Sequence, residues 1–114
     1  MIATGQTAVG VTVQGASGIA APELVEPMRD QHVGDGQLAQ FRCKIYSAVE
    51  PTVEWFFNDR PIHSDGKLQM SARNGIYILN ISNVYAADAG VYKCVVSNPA
   101  GEVTCIAHLR VGCE

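Results

Sequence analysis

The run from Ala39 to Ile45 alternates strictly: Ala39, Phe41, Cys43 and Ile45 fall on one side, Gln40, Arg42 and Lys44 on the other. A period of two marks a half-buried strand, because successive side chains of an extended chain point to opposite faces. The same period returns in Val53, Trp55 and Phe57, in Tyr77, Leu79 and Ile81, in Tyr92, Cys94 and Val96, and in Cys105, Ala107, Leu109 and Val111. Turn signals separate these runs: Gly34-Asp35-Gly36, Asn58-Asp59-Arg60-Pro61, Asn74-Gly75 and Asn98-Pro99-Ala100-Gly101. Leu68 to Ala72 reads as a short edge strand, and Ser82 to Gly90 holds a single helical turn at most. Pro27 breaks the first extended segment into two pieces, since a proline lacks the ladder N–H and belongs on an edge. Short alternating strands with turns every 8–12 residues or so predict an all-β sandwich.

At 114 residues the chain suits one domain. Its formal charge of −3 removes the usual electrostatic case for nucleic acid or an anionic membrane. No apolar run approaches the ~20 residues of a spanning helix, so membrane insertion is not expected. Residues 1–21 carry no charged, histidine or aromatic side chain and are interrupted by Gly5, Gly10, Gly15 and Gly18. They read as a flexible leader or linker, although Val9, Val11 and Val13 alternate as a strand partner would. The domain is placed at 22–112.

One constellation is more specific. Cys43, Trp55 and the run Asp88-Ala89-Gly90-Val91-Tyr92-Lys93-Cys94 reproduce the Cys…Trp…Cys spacing and the D-x-G-x-Y-x-C motif of immunoglobulin domains. Pro22-Glu23, Val33-Gly34-Asp35-Gly36, Trp55-Phe56-Phe57-Asn58-Asp59, Pro61-Ile62, Leu79-Asn80-Ile81-Ser82-Asn83-Val84 and Asn98-Pro99-Ala100-Gly101 extend the match. Together they resemble the intermediate (I-set) immunoglobulin family, and within it the modules of giant muscle proteins such as titin, twitchin, projectin and kettin. The resemblance implies an immunoglobulin-like sandwich of two antiparallel sheets in Greek-key order. It places Cys43, Trp55, Leu79, Asp88, Gly90, Tyr92 and Cys94 in the structural core. The Tyr92 hydroxyl would bond backbone near Ala86 to Asp88, Gly90 would sit where a Cβ is costly, and Asp88 would meet a cation, with Arg73 the candidate. Strands near the two chain ends would run parallel, Met28 to Val33 against Leu109 to Val111, and resist shear.

Four cysteines allow three pairings. The resemblance makes Cys43 and Cys94 the candidate disulfide pair, joined in a secreted domain and left as buried thiols in muscle cytoplasm. Cys105 has inward parity, and Cys113 lies beyond the last core position. Asn80-Ile81-Ser82 is a glycosylation sequon, relevant only in the secretory pathway.

No catalytic, cofactor or metal site is expected. Cys105 and His108, three apart on a strand, face opposite ways and cannot share a zinc ion with Cys113. His32 and His63 read as solvated side chains. Outward parity selects Phe56, Val95 and Ile106, on the strands that carry Trp55, Cys94 and Cys105, as a candidate protein-binding face. The expected role is a non-enzymatic module, monomeric when isolated, set among neighbouring Ig or Fn3-type domains of a cytoplasmic sarcomeric or cytoskeletal protein. The alternative is an extracellular adhesion or matrix-receptor domain that binds a protein through the Phe56, Val95 and Ile106 face.

Overall fold

The computed structural model describes residues 19–112. Nine strands follow in order: β1 (Glu23–Glu26), β2 (Gln31–Val33), β3 (Ala39–Tyr46), β4 (Thr52–Phe57), β5 (Arg60–Ile62), β6 (Leu68–Arg73), β7 (Ile76–Ile81), β8 (Gly90–Asn98) and β9 (Gly101–Val111). One sheet has the order β1-β3-β7-β6 and the other β2-β9-β8-β4-β5. The β3–β4 and β7–β8 connections cross between them, which gives the Greek-key order of an immunoglobulin sandwich. All pairs are antiparallel except β2 with β9, which runs parallel at the sheet edge. Val9, Val11, Val13 and Cys113, singled out above, lie outside the described residues, as does most of the leader.

Local chemistry explains the strand ends. Asn58 and Asp59 both hold positive φ (49° and 68°), as do Asn74 and Gly75 (52° and 80°), so each pair closes a two-residue hairpin whose twist matches its flanking strands. In the first of these Phe57 faces Arg60 and Phe56 faces Pro61. β1 ends immediately before Pro27, and the chain then crosses to the opposite sheet to form β2. The segment 82–89 contributes one 3-10 turn, Ala86–Asp88.

Alternation becomes burial. β3 follows a strict buried–exposed pattern over all eight residues. Phe41, Cys43, Leu79, Ile81, Val84, Cys94, Val96 and Ala107 have no exposed surface, and Trp55 retains 3%. Tyr92 forms the centre of an aromatic group, stacked on Phe57 at 4.7 Å between ring centroids and tilted against Phe41 at 5.0 Å. Each such side chain contributes about 1.5–3 kcal/mol on leaving water, and the ring geometry adds to that.

Candidate functional site

The residues singled out by the sequence fall at the ends of the domain, in its core and on one outer face. At one pole Ala20 O accepts a 2.9 Å bond from Asn98 Nδ2, and Ala21 lies against Gly101. From there β9 runs eleven residues to the other pole, about 33 Å away at the usual rise per residue. The described chain therefore enters at one pole and leaves at the other. At the exit, β2 and β9 pair in parallel, Gln31 with Leu109, His32 with Arg110 and Val33 with Val111. Side chains and turns extend this short ladder. Gly112 N donates to Val33 O at 2.9 Å, and His32 Nε2 lies 3.0 Å from Gly112 O. Asp30 Oδ1 accepts from His108 N at 2.9 Å.

The turn before β8 is pinned from two sides. Tyr92 donates its hydroxyl to Asp88 O at 2.7 Å, and Asp88 Oδ2 accepts from Tyr85 N at 2.9 Å. Burial, with the Asp88 charge second, pushes the Tyr92 phenol well above its ordinary value, so it remains a donor. The cation facing Asp88 is Lys67, whose Nζ sits 3.0 Å from Asp88 Oδ2, 2.8 Å from Asn83 O and 4.3 Å from the Tyr85 ring centroid. Arg73, expected in that place, lies at the far end of β6 beside Ile76. A six-residue strand separates it from this turn, too far for contact. Gly90 follows at φ +154°, where an added Cβ would come within 2.6 Å of Asn58 Oδ1 and 2.8 Å of Phe57 Cε1.

Three thiols meet at the core centre. Cys94 and Cys105 are register partners on β8 and β9, with Trp55 on the other side of Cys94. Cys43 reaches across from β3, and its thiol interacts with both of theirs. All three are free and buried. For Cys43 the interaction with Cys105 favours the thiolate, but the interaction with Cys94 and burial outweigh it and push the thiol up to about 12. The interaction with Cys43, then burial, raise Cys105 further. Such protonated, enclosed thiols are poor nucleophiles. Leu79 lies fully buried on β7, next to these residues in the same core.

The outer face of β4, β8 and β9 distributes the candidate docking residues over two rows. Phe56, Lys93 and Ile106 are cross-strand neighbours, and Glu54, Val95 and Thr104 form the adjacent row. Lys93 Nζ stands 5.0 Å from the Phe56 ring centroid and 3.3 Å from Asp59 Oδ1. Phe56 and Val95 are half-buried, whereas Ile106 is 56% exposed. Charged and polar groups thus separate the three apolar ones. Cys105 is buried and His108 exposed, so the two point apart, and among the described residues no cluster of three His, Cys, Asp or Glu could hold a metal.

Two stacked sheets with the β3–β8 core pair, the covering indole and the tyrosine-pinned turn define an immunoglobulin-type domain. The family description "Immunoglobulin I-set domain" matches residues 22–111, and the chain belongs to that family. It is 34% identical over 91 residues to Titin of Drosophila melanogaster, a match covering 80% of this chain and, rounded, 0% of the relative. It is 33% identical over 90 residues to the Striated muscle preferentially expressed protein kinase of Danio rerio, covering 79% of this chain and 3% of the relative. The solved structure of titin M4 superimposes with a TM-score of 0.81 at 27% identity, over 83% of this chain and 99% of that one. The chain thus spans at most 3% of the length of these two muscle relatives.

Proposed function

We propose that residues 22–112 form a non-enzymatic I-set module of a much longer cytoplasmic muscle or cytoskeletal protein, with residues 1–21 as a leader or linker. It acts as a mechanical spacer and docking unit among neighbouring Ig or Fn3-type domains. The parallel β2–β9 pair carries this reading. Tension between ends at opposite poles slides these two strands along one another, so their bonds share the load and must break together. An antiparallel hairpin pulled open from one end would lose its bonds one at a time. The small share of each relative that the chain covers supports a serial arrangement of such modules.

Single-molecule stretching of the domain between handles tests the mechanism. Discrete unfolding peaks are expected, each releasing about 30 nm of chain for a domain of this size. Val33→Pro, which places a ring where β2 pairs with β9, should lower the unfolding force more than it lowers the melting temperature. A trace without peaks would refute the spacer role. The compartment is tested by mass analysis of protein from its native source: free Cys43 and Cys94 and an unmodified Asn80 are expected. A Cys43–Cys94 bridge or an Asn80 glycan would move the module to the extracellular alternative.

A further inference from the structure

Strand β1 accompanies β3 for only part of its length. The ladder runs from Glu23 opposite Tyr46 to Glu26 opposite Lys44 and stops there, because Pro27 turns the chain toward the other sheet. β3 continues four residues past Cys43 to Ala39 on its other side, fully paired with β7. Backbone groups of alternate residues face alternate sides of a strand. Ile45 N bonds Gly75 O on the β7 side at 2.8 Å, so Gln40 and Arg42 direct their N–H and C=O groups the opposite way. Among the described residues no strand occupies that lane. A cleft of about 390 Å³ lies there, lined by Glu26, Pro27, Arg29, Gln31, Gln40 and Arg42.

We infer that this lane is a docking site for an extended acidic peptide segment of another protein, added as a strand beside β3. Two arginines converge on the cleft of a chain whose overall charge is −3, so the local sign differs from that of the whole molecule. Arg42 has a single 3.5 Å contact with Glu26, and both side chains are about half exposed. A peptide carboxylate replaces that contact at little cost. Because side chains of a strand repeat every two residues on one face, acidic residues two apart would lie along the arginine side while the peptide backbone bonds Gln40 and Arg42. Residues 1–21 contain no acidic side chain and lack the charge for this role. The inference rests on the docking part of the function proposed above and leaves the stretching test independent of it.

The probe is a fluorescein-labelled, N-acetylated nonapeptide alternating Glu with Thr, titrated into the 114-residue chain by fluorescence anisotropy. Saturable binding is expected, with slowed hydrogen exchange at the Gln40 and Arg42 amides. The double variant Arg29→Gln/Arg42→Gln should bind about five- to tenfold more weakly, the worth of two cross-strand charge pairs, with an unchanged melting temperature. N-methylation of alternate peptide amides should abolish binding in the one phase that faces β3. Absence of saturable binding overturns the inference. So does binding that survives N-methylation in both phases, or equal displacement by inositol hexakisphosphate, either of which would mark a mere polyanion surface.

Discussion

Replacing Gly90 by alanine tests the packing at the start of β8. The new methyl would lie 2.6 and 2.9 Å from the side-chain oxygen and nitrogen of Asn58 and 2.8 Å from Phe57 Cε1. Neither neighbour is free to retreat. Asn58 Oδ1 holds Val91 N at 2.9 Å within a turn that already has φ 49°, and Phe57 is stacked on Tyr92. Backbone strain at φ +154° costs about 1–3 kcal/mol. Displacing Phe57 adds about 1–3 kcal/mol of overpacking, and weakening the Asn58 bond about 1 kcal/mol. The sum, about 3–7 kcal/mol, rivals the whole stability of a typical domain, about 5–15 kcal/mol. Gly36→Ala is the control, since that glycine also has positive φ (84°) but nothing within 4 Å of an added Cβ. Urea titration followed by the fluorescence of Trp55, the only tryptophan, should place the Gly90 variant about 2–4 kcal/mol below the Gly36 variant. A difference under about 1 kcal/mol would refute the crowding argument.

Tyr92→Phe removes the bond to Asp88 O and should cost about 1 kcal/mol in the same titration. The wild-type chain should lose stability as pH rises past about 9–10. There an unfolded cysteine or tyrosine releases its proton, whereas folded Cys43 and Tyr92 keep theirs, so the folded state binds more protons and falls behind as pH increases. Tyr92→Phe should flatten that alkaline decline, and an unchanged slope would count against a buried phenol. Lys67→Ala should destabilise by about 0.5–1 kcal/mol, because its ion pair is only partly screened, while Arg73→Ala should stay within about 0.5 kcal/mol of wild type. In a Cys113→Ser variant, Ellman's reagent should find Cys43, Cys94 and Cys105 unreactive in native protein and reactive in guanidinium, and rapid native labelling of that variant would contradict their enclosure.

Strands with one wet and one dry face were legible from the sequence because their pattern is the packing. Ala39 to Ile45 shows this directly, each apolar position becoming a buried one. β1 shows the opposite case: Glu23 to Glu26 is exposed at all four residues, and its strand exists through backbone pairing with β3. The contact of Cys94 with Cys105 was also within reach. The hairpin that pairs Asn98 with Gly101 has a constant register, which carries those two cysteines opposite each other. That Cys43 approaches both depends on how closely the sheets stack, and no periodicity reports that distance. Asp88 meets Lys67 rather than Arg73 for a similar reason. Loop-to-loop pairing depends on which pole a residue occupies, so the orientation of β6 decides between the two cations. The outer face of β4, β8 and β9 was readable as to which side chains point outward, but the alternation of apolar and charged rows follows from cross-strand register.

The position of Pro61 bears on how such a module tolerates company. In a two-residue hairpin Phe57 and Arg60 form the bonded pair, so the nitrogen of Pro61 faces away from β4, along the open border of the sheet. That border is only three residues long and lacks a hydrogen donor at its midpoint. A partly unfolded neighbour tethered nearby, present at high effective concentration, finds no template there on which to zip up. In the serial arrangement proposed above, unravelling and recovery beside similar domains would then proceed without tangled or aggregated by-products growing from that margin.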